Sequence, residues 1–185
     1  MTDIDFDAQF DAFQHTAFRY ESRRHYLVGG QEAEQFAGWR RGEPRSERSV
    51  RTSDWLRRIA VTTAAGKQWC RVRAVDHPLP EYLRWELGGL VENQAVGDLT
   101  LMVDRDHAVD GPDFWLFDGG TDHASTMLLR YSDAGEFEDL ALVSDPAALG
   151  GLEQARQHLI RHATPLDQRL SAFVSVPPNP SGSAP

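Results

Sequence analysis

Residues 111–120 read GPDFWLFDGG. In an extended chain successive side chains alternate between faces, so Phe114 and Leu116 point one way and Trp115 and Phe117 the other. Both sides are then apolar, the mark of a central strand covered on both faces. Asp113, Asp118 and the flanking glycines supply turn chemistry at its ends. A chain with such a strand needs apolar layers above and below a sheet. The stretch is read as core, the alternative being that Trp115 lines a groove.

The rest of the sequence offers those layers. LTLMVD, STMLLRYS and FEDLALVS are short apolar runs separated by Gly and Asp, which predicts successive antiparallel strands joined by hairpin-like loops, with SDAGEF as the last turn. In the first half, Phe6, Phe10 and Phe13 recur at helical spacing behind aspartates that favour a helix start. AFRYES suits a short strand. A helix is expected from Gln31 to Arg41, stopped near Gly42 and Pro44. RSERSVRTS has no periodicity and reads as a loop. Ser53 or Asp54 caps the next helix, which Gly66 ends. QWCRVRAV, with Trp69, Arg71 and Arg73 on one face and Cys70, Val72 and Ala74 on the other, predicts a half-buried strand. A further helix starts in PLPEYLRWELGGLVENQAVG. DPAALGGLEQARQHLIRHA is a closing helix, interrupted near Gly150–Gly151. The expectation is one α+β domain over residues 1–174, with an antiparallel sheet of about five strands under N-terminal helices and a closing C-terminal helix. The Pro/Ser-rich tail, 175–185, is expected to be disordered.

Composition bounds the function. At 185 residues, 41% hydrophobic and 25% charged, the chain is an ordinary single-domain globular sequence. It has no apolar run of the roughly 18 residues that span a bilayer and no basic-then-apolar leader, so a cytoplasmic protein without membrane contact is expected. Cys70 is the only cysteine, which excludes intrachain disulfides and cysteine-rich zinc sites. The net charge of −9 lies in the second half, where residues 91–185 carry 15 acidic and 5 basic side chains. Such a surface repels phosphate backbones, so direct nucleic-acid binding is not expected.

Motifs for chemistry fail one by one. DRDHAVDG departs from the calcium-loop template, with Ala108 at a ligand position and Val109 where glycine is needed. HLIRH sets His158 and His162 one helical turn apart but lacks the metalloprotease glutamate and a third ligand. No serine sits in a G-x-S-x-G elbow, and the glycine pairs are not phosphate-binding loops. Hence no catalytic residue, metal or cofactor is assigned. The richest stretch is VRAVDHPLPEYLRWEL, where Arg73, His77, Tyr82, Arg84, Trp85 and Glu86 include the residue types enriched at interface hot spots. With Trp115 and Asp118 these form the candidate interaction set. A strand–turn–helix corner with its aromatics inside would look the same.

FDAFQHTAFRYESRRHYLV, GKQWCRVRAVDHPLPEYLRWEL, DFWLFDGG and GEFEDLALVSDP, in that order, resemble a group of uncharacterised actinobacterial proteins commonly encoded beside helix-turn-helix transcriptional regulators. The resemblance covers about residues 5–162. It supplies no activity and no catalytic residues, and its genetic setting implies a regulatory partner. The closing QARQHLIRHATPLDQRL lacks the aromatic-rich ending of that group. The expected function is therefore a non-enzymatic regulatory protein, the partner of a helix-turn-helix regulator, whose acidic half engages a basic surface. The alternatives are a small enzyme or toxin-like effector with a pocket near Arg73, Tyr82, Trp85, Trp115 and Asp118, or a small-molecule-binding module with a pocket between sheet and helices.

Overall fold

A computed structural model describes residues 6–174; the tail 175–185, expected to be disordered, lies outside the described residues. In chain order the elements are α1 (Phe6–Ala12), β1 (Thr16–Glu21), α2 (Gly30–Arg40), α3 (Asp54–Ala64), β2 (Gln68–Val75), α4 (Glu81–Ala95) and β3 (Asp98–Asp104). After a 3₁₀ turn, Arg105–His107, come β4 (Asp113–Phe117), β5 (Ser125–Tyr131), β6 (Phe137–Val143), α5 (Pro146–His162), β7 (Thr164–Pro165) and α6 (Leu166–Val174). The strands form one seven-stranded sheet in the order β6-β5-β4-β1-β2-β3-β7.

The α+β class and single domain agree with expectation, but the sheet differs. It has seven strands instead of about five, and it is mixed: β1, β2 and β3 run parallel, while β4, β5 and β6 add an antiparallel meander on the other side of β1. The reason is connection length. Helices separate β1 from β2 and β2 from β3, and a helical crossover returns the chain to lay strands parallel, whereas short turns force reversal. The two-residue β7 closes the β3 edge and has too few residues to leave a pattern.

Helix starts and stops follow local chemistry. Ser53 caps α3 by accepting from Leu56 N, and Asp145 caps α5 by accepting from Ala148 N. Gly66 ends α3 with φ +91°, open to glycine and strained for other residues. The helix α5 is not interrupted at Gly150–Gly151, because both glycines are exposed while Leu149, Leu152, Ala155 and Leu159 lie against the sheet.

Both sheet faces are covered. On one, Ala17, Trp69, Trp115, Phe117 and Met127 meet Phe10 and Phe13 from the N-terminal segment and Ile59 of α3. On the other, Phe18, Tyr20, Val72, Ala74, Phe114 and Leu116 meet α5. All five residues of β4 are buried, as a strand apolar on both sides requires. A third cluster joins Val75 and Met102 to Leu83, Leu90 and Leu166 under α4 and α6.

One expectation about β2 is overturned. It is buried on both faces, with Arg71 and Arg73 at 7% and 0% exposure. Alternation in sequence reports polarity, and here the polar side is buried because neighbouring strands bring carboxylates to it.

Candidate functional site

Strand parity assembles the site. Arg19 and Glu21 of β1 share a face with Arg71 and Arg73 of β2, and the register sets Arg19 beside Arg71 and Glu21 beside Arg73. The same face receives Asp98 from the start of β3 and Asp113 from the start of β4. All six are buried.

Unpaired charges in such a place would cost several kcal/mol each, so the pairing has to be close. Arg71 binds Glu21 through Nη1–Oε1 at 2.6 Å and Asp98 through Nε–Oδ2 at 3.2 Å. Arg19 reaches Asp113 at 3.1 Å and Glu21 at 3.4 Å. Arg73 donates from Nε to Glu86 Oε2 of α4 at 3.0 Å, and its Nη1 donates to the backbone carbonyl of Arg23. Tyr26 donates to Asp113 Oδ2 at 2.5 Å, and Ser22 N and Oγ donate to Asp113 Oδ1. Trp115, opposite Arg19 in the β1–β4 register, lies on the same face, with the guanidinium carbons of Arg19 and Arg71 each 5.7 Å from its ring centre.

The carboxyl groups respond differently. Burial by itself would raise Glu21, but Arg71 and Arg19 hold it down to about 2. Burial raises Glu86, and its pairing with Arg73 does not bring it back to the usual range. Burial also raises Asp98 despite Arg71. Burial opposes the charge on Arg71 and Arg73, yet the facing carboxylates keep both protonated beyond the ordinary guanidinium range.

Above this floor lies a cavity of about 480 Å³. Its lining includes Arg19, Glu21 and Arg71 from the sheet, Tyr82, Trp85 and Glu86 from α4, Glu32 and Gln35 from α2, and Tyr26 and Tyr131 at the side. The segment between α2 and α3 contributes Arg45 and Arg48. Both grip Glu92 of α4: Arg45 at 2.5 and 2.8 Å, Arg48 Nε at 2.7 Å. Burial would raise Glu92, but these hydrogen bonds hold it at about 2. The Gly88–Gly89 pair makes room for the clamp, since a Cβ at Gly88 would stand 3.0 Å from Arg45 Cδ and one at Gly89 3.1 Å from Arg48 Nη2.

Some hydrogen-bonding capacity in the cavity wall is unspent. Glu21 Oε2, Arg19 Nη1 and Trp85 Nε1 are buried and make no hydrogen bond among the described residues. Native proteins rarely leave such atoms idle without a reason.

The residues singled out from sequence divide. Tyr82, Trp85 and Glu86 line the cavity, and Arg73 lies behind it as a support. Trp85 and Trp115 are each 5% exposed, so neither offers an open surface for docking. His77 is exposed and bonds to Asp104 Oδ1 at 2.9 Å, away from the cavity; Arg84 is exposed on α4. Asp118 sits at the opposite end of β1, where its carboxylate accepts from the backbone N–H of Gln14, His15 and Thr16 at 2.7, 2.6 and 2.9 Å. Burial would raise it, but those three donors hold it below the usual range. The cavity described above thus includes Trp85 but not Asp118. Asp118→Ala is expected to lower unfolding free energy by about 2 kcal/mol, read by urea titration, while leaving ligand binding in the cavity unchanged.

Sequence reading missed Arg19, Glu21, Arg45, Arg48, Arg71 and Glu92. The available signal was charge on strands otherwise lined by tryptophan and phenylalanine. Cys70 packs on the opposite sheet face, half-buried, with burial pushing its thiol up to about 12. His107 joins His158 and His162 in a surface stack, but no group of three His, Cys, Asp or Glu among the described residues is arranged to hold a metal ion. No described helix is long and apolar enough to cross a membrane.

No curated protein matches the sequence. A family model described as a domain of unknown function, DUF6879, matches residues 4–170, nearly the whole described chain and the span over which the sequence resembled an uncharacterised family. The chain that carries this charged cavity belongs to the DUF6879 family.

Proposed function

We propose that the protein is a regulatory ligand-binding module, which takes a small polar molecule into the cavity between sheet and α4 and relays its presence to a partner protein. The observation that carries this reading is a 480 Å³ cavity whose wall includes buried, unspent polar atoms on Glu21, Arg19 and Trp85. The size suits a metabolite, and aromatic walls with a few polar groups are the usual make-up of such sites. A buried ion network is a poor way to gain stability, since apolar packing does as well or better. Its retention under a cavity favours a binding role. The lining holds no Ser, Thr, Cys, Lys or His, which favours binding over nucleophilic or imidazole chemistry.

The relay to a partner draws on a second observation. From Tyr131 to Ala155 the chain has six acidic and no basic residues, and within this span β6 is an outer strand with Phe137 and Leu142 exposed. An acidic strand edge with apolar side chains fits a basic protein surface. The resemblance to actinobacterial proteins encoded beside helix-turn-helix regulators supports such a regulator as the partner.

The ligand reading is tested by thermal shift against a metabolite library, on the natural chain and on Gln35→Trp, which fills the cavity from α2. A compound should raise the melting temperature of the natural chain and leave the variant unmoved. Absence of any stabilising compound, or equal shifts in both proteins, would overturn it. Partner binding is tested by co-purification with a helix-turn-helix regulator at low salt, and no association at micromolar concentration would count against it.

A further inference from the structure

The charges that face the cavity are not evenly spent. Each lining arginine is already ion-paired: Arg19 with Asp113 and Glu21, Arg71 with Glu21 and Asp98, Arg45 and Arg48 with Glu92. The carboxylates are not used up in the same way. Glu21 keeps Oε2 free of hydrogen bonds although its side chain is 9% exposed. Glu86 has one ion pair, to Arg73, and Glu32 at the mouth has none among the described residues. Arg19 Nη1 and Arg45 Nε keep free donors, but each belongs to a guanidinium whose charge a carboxylate already meets, so an anion gains little net attraction there. A cation meets the exposed Glu32 at the mouth and, deeper, the unpartnered Glu21 Oε2, and breaks no ion pair to do so.

The neighbouring rings point to the same charge. Tyr82 and Trp85 stand 5.6 Å apart at 55°, and both line the cavity with Glu21, Glu32 and Glu86. Aromatic faces beside carboxylates are the usual surroundings of a bound organic cation. Trp85 Nε1, an unspent donor, asks for an acceptor oxygen on the same molecule.

Resting on the ligand-binding reading above, we propose that the cavity takes a small organic cation, an amine or guanidine that also carries a carbonyl or hydroxyl oxygen. Its N–H donors meet Glu21 and the wall carboxylates Glu86 and Glu32. Its body lies against Tyr82 and Trp85, and its oxygen accepts from Trp85 Nε1. Binding of this kind needs ionised carboxylates. Because burial raises Glu86, affinity falls as pH drops through that raised value.

Isothermal titration tests the charge with four probes: argininamide as the cation bearing a carbonyl, phosphate and citrate as anions, and adenosine as the neutral molecule. Argininamide should bind, weaken as salt is raised, and lose roughly ten-fold or more in affinity to Glu32→Arg, a change at the exposed mouth that spares the buried network. Glu21→Gln should also weaken it; if that variant is unfolded by circular dichroism, Glu32→Arg carries the test. Binding of phosphate, citrate or adenosine without argininamide overturns the cation and leaves the cavity reading standing. The inference also falls if argininamide binds equally well to Glu32→Arg, or if no probe binds while the library yields an uncharged or anionic ligand. Failure of the ligand reading itself is marked differently, by a library without any compound sensitive to Gln35→Trp.

Discussion

Arg71→Ala is expected to destabilise the protein by about 3–5 kcal/mol, the usual cost of removing one partner from a buried ion pair. The guanidinium serves two carboxylates, Glu21 and Asp98, both buried with it. Its loss leaves Glu21 with Arg19 at 3.4 Å and removes the hydrogen-bonded cation from Asp98. Chemical denaturation across pH separates this cause from simple loss of packing. In the natural chain Glu21 titrates at about 2 instead of the usual 4.5. A depressed folded value means its contribution is present above about 4.5 and is lost as pH falls toward 2. In Arg71→Ala the same carboxyl keeps only Arg19 and Asp98 loses its bonded cation, so the folded form takes up protons more readily. The deficit relative to the natural chain should therefore shrink as the solution is made acidic. A deficit constant from neutral to acidic pH would mean that Arg71 acts by packing alone.

The second large effect concerns the apolar side of the same sheet face. Phe10→Ala should cost about 3–5 kcal/mol, as other phenylalanine truncations in packed cores do. Phe10 is 1% exposed, and its ring centre stands 4.9 Å from Trp115, 5.2 Å from Trp55 and 5.2 Å from Phe117. Truncation opens a void among large rings that cannot collapse without moving β4. The control is Phe6→Ala one turn earlier, where 40% exposure limits the loss to under about 1 kcal/mol. Urea titrations followed by tryptophan fluorescence read both. Equal losses in the two variants would contradict the assignment of Phe10 to the core.

These two residues also mark what the sequence made legible. Phe10 and β4 were readable because a run of apolar residues at helical or extended spacing has only one comfortable place. Arg71 was not. Its strand alternates polar and apolar residues, and that pattern is the same for a face in water and a face buried against opposite charges. Only the strand order, with Glu21 on one neighbour and Asp98 on the other, decides between them. Helical connections from β1 to β2 and from β2 to β3 set the parallel pairing, which short apolar runs by themselves do not reveal. Tyr82, Trp85 and Glu86 were found by residue type alone; their shared cavity wall depends on α4 lying across β2 and β3. Asp118 was grouped with them by its nearness in sequence to Trp115, and one strand length separates the two ends of the sheet. Arg45 and Arg48 sit in a stretch without periodicity, where the partner Glu92 lies more than forty residues away.

The account rests on a ligand entering the space beside Trp85. The indole N–H signal of Trp85 in a proton–nitrogen spectrum, assigned by its absence in Trp85→Phe, tests that most directly. Titration with the compound found in the library screen should shift this signal and protect it from hydrogen exchange, because its unspent donor gains a partner. A Trp85 signal that stays still while the compound binds and moves resonances elsewhere would contradict the account.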